Sequence, residues 1–368
     1  MKNLNKKSVL SIAILSALSL SACNIDLQLS EEQKQSINKT ATGIIDTFGS
    51  LRVNGVEYNT QNAVVLKDGS SAEPSDLKKG MLVTVTGTEN SNGTGVASTV
   101  EFEDITEGEV LANLIDTNQT LNVMGQTVYV DDSTVFASNQ PTITNLKDID
   151  PGNVLEVSGY TSGDGEIWAT RIEFKDDGYA SGNEIEVKGK IENLTETTFD
   201  IGNLTVNYEN AQFEYLNGQL EENMYVEVSS YQSLNGENYM LADSIELKGN
   251  GEIEVKYSNN DQEVEIKGLI TNVISDSEIE VNGARVLINS QTKFEHGLAN
   301  QFENGQLVEV EGYVDGNGNF HADEIEFENY SDNDRDDDFD SDDDQDDSSD
   351  DDDDSDDHDE SENESDDD

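Results

Sequence analysis

Few residues of this 368-residue chain could do chemistry: three histidines, one cysteine and a large surplus of carboxylates. His296, His321 and His358 are too few and too scattered to supply a histidine relay, in which a base must sit beside a nucleophile and a group that orients it. Asp and Glu number 80 against 20 Lys and Arg, but most of them alternate with apolar residues. In a strand, that alternation places the acids on the solvated face. The expectation is a protein that is not an enzyme, and no catalytic residue is assigned. The same charge excludes nucleic acid as a partner, because such binding depends on Lys and Arg neutralising phosphates.

Hard cations favour clustered carboxylate and amide oxygens. Asp315-Gly-Asn317-Gly-Asn319-Phe320 has oxygen ligands at the alternating positions of a calcium loop, but Phe320 stands where the sharp turn needs glycine. A turn between strands is the favoured reading. Near the C-terminus, Asp332, Asp334 and Asp336, then Asp342, Asp344 and Asp346, recur without glycines. Weakly held calcium, bound as by a polyelectrolyte, is the only cofactor expected. A sharper site hypothesis concerns aromatic residues at the end of three repeated segments: Tyr160 with Trp168, Tyr231 with Tyr239, and Tyr313 with Phe320. Exposed rings there would stack on sugars; the alternative is cross-strand pairing that only stabilises a hairpin.

The elements that must position these residues come from internal repetition. A closing motif reads Ala97-Ser-Thr-Val100-Glu101-Phe102, Ala169-Thr-Arg-Ile172-Glu173-Phe174, Ala242-Asp-Ser-Ile245-Glu246-Leu247 and Ala322-Asp-Glu-Ile325-Glu326-Phe327. Upstream lie Gly80-Met-Leu-Val83-Thr-Val85-Thr-Gly87, Gly152-Asn-Val-Leu155-Glu-Val157-Ser-Gly159, Asn223-Met-Tyr-Val226-Glu-Val228-Ser-Ser230 and Gly305-Gln-Leu-Val308-Glu-Val310-Glu-Gly312. The two landmarks are 17, 17, 19 and 17 residues apart, so the fold repeats in register. Earlier in each unit Asn54-Gly55, Met124-Gly125, Gly202-Asn203 or Asn282-Gly283 marks a hairpin tip.

Each unit therefore has five strands: an opening strand, a hairpin, a connector and two closing strands. That order predicts an all-β fold of four tandem OB-like β-barrels, with an SH3-like barrel or small sandwich as the alternative. The motif alanine is out of phase with the isoleucine after it, which predicts a bulge. The repeats are read as 42–103, 107–174, 187–247 and 264–328, with a tether or short helix over 24–41. Residues 331–368 hold 25 acids against the single base Arg335 and are expected to be disordered.

At the N-terminus, Lys2, Lys6 and Lys7 precede an apolar run from Val9 to Leu18, too short for a mature membrane span and typical of an export signal over 1–23. Leu20-Ser21-Ala22-Cys23 resembles the lipobox of bacterial lipoproteins, which implies lipidation of Cys23, the chain's only cysteine. The membrane, reached through that lipid anchor, is thus one expected partner. The Gly-x-Ile opening, the Val-Asn-Gly hairpin and the two landmarks together resemble a family of tandem lipoprotein domains, the domain of unknown function 5666 family, over roughly Thr42 to Phe327. The resemblance implies an envelope β-domain and carries no catalytic residues. Asn24 after the cysteine, in place of aspartate, favours the outer membrane, periplasmic or surface-exposed. The expected function is a non-catalytic binding or scaffolding lipoprotein for a glycan or envelope protein. The alternative is a cation-responsive acidic surface polymer in which the barrels act as spacers.

Overall fold

The computed structural model describes residues 36–47, 51–161, 163–214, 219–236, 238–249 and 263–328. The opening strands are Ser36–Ile44, Thr106–Leu114, Ile185–Lys190 and Glu263–Ser275. Hairpins follow at Leu51–Val53 with Val56–Asn59, Thr120–Val123 with Gln126–Tyr129, Thr198–Ile201 with Leu204–Asn207, and Glu278–Val281 with Ala284–Leu287. Val64–Lys67, Val135–Ser138, Gln212–Glu214 and Lys293–Glu295 are the connector strands. The fourth strands are Leu82–Asn90, Val154–Thr161, Tyr225–Ser230 and Leu307–Val314. The fifth are Thr94–Phe102, Glu166–Asp176, Ser244–Gly249 and Phe320–Phe327. The first opening strand begins at Ser36, so residues 36–41, expected as tether, are strand.

Local chemistry explains these elements. Asn54-Gly55, Met124-Gly125 and Asn282-Gly283 all take positive φ, as tight hairpin turns require. The expected bulge lies between Thr86 and Gly87, Ser158 and Gly159, and Glu311 and Gly312, opposite the motif alanines. A Cβ on Gly87, Gly159 or Gly312 would lie 2.2, 2.2 or 2.0 Å from a backbone carbonyl oxygen of the facing strand, so only glycine lets that hairpin close. The third repeat has Ser230 at this position. There the hairpin splits: Tyr239–Leu241 leaves the fourth strand and joins the Thr198–Asn207 hairpin in a separate three-stranded sheet. Asn223, by contrast, replaces glycine without consequence, because it adopts the same left-handed turn at φ 68°.

In the second repeat the opening strand pairs with the hairpin, whose second strand runs parallel to the fifth strand. The fifth strand pairs with the fourth, and the fourth with the opening strand. The fourth repeat has the same order. The fold is all-β in four repeats, as expected, but the repeats are not four separately closed OB-like barrels. Residues 39–42 run parallel to residues 263–266, joining repeats one and four. Glu186 and Val187 pair with Glu107 and Thr106, joining repeats two and three.

Two sheets, of 13 and 10 strands, therefore each serve two repeats, and one apolar core runs continuously through repeats two and three. The reason lies in the edges: an exposed strand edge carries unpaired N–H and C=O groups, and a neighbouring repeat covers it. The arrangement suggests a β-solenoid in which repeats seal one another's edges, the first with the fourth and the second with the third.

Candidate functional site

The opening and fourth strands face each other in a fixed register, and one pair on their outward face varies in chemistry. The residue before the opening glycine lies opposite the middle residue of the Val-x-Val motif. These pairs are Thr42 with Thr84, Glu107 with Glu156, Lys188 with Glu227, and Lys267 with Glu309. The acids of this face were expected in solvent. The structure corrects that: Glu156, Lys188 and Glu265 are buried, each at most 3% exposed, because neighbouring repeats pack over the outward face.

At the seam of repeats two and three, Lys188 Nζ lies 3.2 Å from Asp104, 3.0 Å from Glu186 and 3.2 Å from Glu227. Burial alone would lower the lysine's pKa, but the attraction of Asp104, Glu186 and Glu227 carries it well above the usual value. Burial pushes the Asp104 carboxyl well above its ordinary range, against the pull of Lys188, and the charges of Glu186 and Asp68 add to the shift. In the second repeat two acids oppose each other, and lysines come from elsewhere to neutralise them. Lys175 lies 2.7 Å from Glu156 and 3.2 Å from Glu107, while Lys67 of the first repeat lies 2.9 Å from Glu156. The first repeat needs no ion: Thr42 and Thr84 hydrogen-bond at 3.0 Å, and Thr40 and Thr86 at 3.2 Å.

At the seam of repeats one and four, Lys39 is buried and its Nζ contacts Glu265, Glu89 at 3.0 Å, and Glu263 and Glu311 at 3.6 Å each. Burial, followed by repulsion from Glu265, pushes the Glu309 carboxyl up to about 7 despite Lys267 3.3 Å away.

The structure divides the predicted aromatics. Tyr160 lies opposite Trp168 in register, but it is only 3% exposed and faces Gly268 of the fourth repeat. Phe320 is core, 2% exposed. Neither can contact a ligand, and both are withdrawn as binding residues: apolar area at these positions is worth more between repeats or in the core than in water. The cross-strand partner of Tyr313 is His321, one residue beyond the expected Phe320. Their rings stack at 5.3 Å, and Tyr313 is 46% exposed. Tyr231 is 50% exposed, but the split hairpin separates it from Tyr239, whose hydroxyl accepts from Asn207 Nδ2 at 2.9 Å. Trp168 finds a partner the sequence reading missed. Tyr129, on the neighbouring parallel strand, stacks on it with centroids 5.5 Å apart and planes 19° apart. The Tyr129 hydroxyl donates to Glu166 Oε1 at 2.9 Å, and both rings are half-buried.

A family model described as Domain of unknown function (DUF5666) matches residues 40–101, 107–173, 177–246 and 267–326. The chain belongs to the DUF5666 family. No curated protein matches it. The DUF5666 repeats thus coincide with the units whose outward faces form the charged seams. In the last of them, Asp315 is held by its own turn. Its carboxylate accepts from the backbone of Asn317 and Asn319, from Asn319 Nδ2, and from His321 Nε2 at 3.1 Å. Asn319 above all, with His321, holds its pKa below the usual range. This loop is a strand connection whose carboxylate is already satisfied by hydrogen bonds. Cys23, Asp332, Asp334, Asp336, Asp342, Asp344 and Asp346 lie outside the described residues.

Proposed function

We propose that this DUF5666 chain is a non-catalytic cell-envelope protein, lipid-anchored through Cys23 at the outer membrane, that presents its repeats as a binding scaffold for a glycan. The observation that carries the reading is the Tyr129–Trp168 stack: two parallel rings, half-buried and therefore rigid, with the Glu166 carboxylate at their edge. Aromatic faces supply large contact area at low entropic cost. A carboxylate beside them accepts hydroxyl hydrogen bonds. The Tyr313–His321 stack repeats the theme in the fourth repeat. A scaffold must hold such sites at fixed separation, and shared sheets between repeats support that role. The order of pairing within one unit supports an OB-type relationship for the single repeat, whose strands here also pair with those of a neighbour.

Trp168 is the only tryptophan, so its emission reports this site alone. Titration with soluble envelope and host polysaccharides should shift that emission for at least one of them. Tyr129→Ala should weaken the response tenfold or more. If no polysaccharide changes the emission, the stack serves the hairpin alone and the glycan reading falls.

A further inference from the structure

The seam between repeats one and four holds more carboxylate than its lysines neutralise. Glu265 and Glu311 lie directly opposite each other on adjacent antiparallel strands, and Glu309 lies two residues along on the same face. One oxygen of each comes within 4.8 Å of the others. Two ammonium groups serve this patch. Lys39 contacts Glu265, Glu89, Glu263 and Glu311; Lys267 contacts Glu309 at 3.3 Å and Glu328 at 2.6 Å. Six carboxylates thus face two lysines.

Surplus acid alone would mark no site, since two comparable clusters occur elsewhere: Asp68 with Asp104 and Glu186, and Asp104 with Glu107 and Glu156. What distinguishes this one is Glu265 Oε1. The side chain is 2% exposed, Lys39 takes Oε2, and Oε1 is buried with no hydrogen-bond partner. The acids of the other two clusters leave no such oxygen among the described residues. A buried charged acceptor without a partner is costly, and a bound cation would remove that cost.

The chemistry of that ligand follows from the donors. Three carboxylates with no nitrogen or sulfur select a hard divalent cation. Calcium binds oxygen at about 2.3–2.6 Å, so donors across its sphere stand up to roughly 5 Å apart; magnesium, at about 2.0–2.1 Å, needs them near 4 Å. The donors lie within 4.8 Å of one another, an arrangement that calcium's flexible sphere accepts without the near-ideal octahedron magnesium demands. We propose that Glu265, Glu309 and Glu311 form a calcium site that ties the opening strand of the fourth repeat to its fourth strand beneath the first repeat. Glu265 bridges the ion and Lys39, one oxygen to each.

The test is thermal unfolding of the full chain by far-UV circular dichroism in EDTA, in millimolar CaCl2 and in millimolar MgCl2. Only an ion that prefers the folded state raises Tm, so calcium attracted to the acidic C-terminal stretch in either state leaves it unchanged. The expected result is a rise of several degrees with calcium, smaller with magnesium. Glu311→Gln, at a half-exposed position, should lose most of the rise while keeping the Tm measured in EDTA within a few degrees. Glu309→Gln should lower the apparent calcium affinity at least tenfold. Isothermal titration with CaCl2 supplies an independent check, as one saturable site should vanish in either variant above a weaker background. No calcium-dependent rise in the parent chain, or an equal rise in parent and both variants, overturns the site.

Discussion

The two seams are built on the outward faces of the same strands of the repeat and reach different electrostatic ends. Between repeats two and three, Lys188 sits among Asp104, Glu186 and Glu227 at 3.0–3.2 Å, and each acid has a partner. Between repeats one and four, Lys39 is shared among four glutamates and leaves one buried oxygen of Glu265 unanswered. The first seam is closed by the protein's own charges. The second is incomplete without something from solution, a proton or a cation. The pairing differs as well: strands meet antiparallel over two residue pairs at the first seam and parallel over four at the second. The same outward strand face is thus used for self-sufficient cohesion in one place and for a site in another.

The largest effect should come from removing the central cation of the closed seam. Lys188→Met leaves the buried Asp104 and the partly buried Glu186 and Glu227 facing one another and should cost about 3–5 kcal/mol in urea denaturation, the range for breaking a buried charge pair. Lys39→Met should cost less, because calcium can restore part of the loss; millimolar calcium should rescue Lys39→Met and leave Lys188→Met unchanged. Equal costs with no rescue would erase the distinction between the seams.

A pH effect of intermediate size belongs to the open seam. Glu309 binds its proton more tightly in the folded chain, up to about 7 against 4.5 for the free group. Its contribution is present below about 4.5 and is lost as pH rises through 7. In EDTA, Tm should therefore fall across this window, and Glu309→Gln should flatten the slope. The smallest effect is expected where the first repeat dispenses with ions. Converting the partly exposed pair Thr42 and Thr84 to Lys and Glu copies repeats three and four, but should change stability by no more than about 1 kcal/mol.

Much of this architecture is legible in the sequence because it is local. The hairpin tips, the four closing motifs and the bulge opposite three of the four motif alanines depend on neighbours in the chain, and the structure holds them where their spacing predicts. Even the exception is readable: Ser230 in place of glycine announces the split hairpin of the third repeat. What the pattern hides is the second face of each strand. Alternation separates two faces but does not say whether the polar one meets water or another repeat. Glu156 and Lys188 therefore read as surface and prove buried, and Tyr160 reads as exposed and is covered by the fourth repeat.

A signal did exist. In a chain with only 20 basic residues, lysine recurs before the opening glycine at Lys188 and Lys267, in register with Val-Glu-Val glutamates. Tyr129 carried no such mark, since its contact with Trp168 depends on a parallel pairing between strands about 40 residues apart.

Whether the charged seams make one cooperative body of the four repeats can be measured directly. Urea unfolding of the full chain should be followed at once by Trp168 emission, which reports the second repeat, and by far-UV circular dichroism, which reports all four. Sealed seams predict coincident curves with one midpoint. A Trp168 transition displaced from the circular dichroism curve, with a plateau between them, would show repeats unfolding independently and would contradict the account.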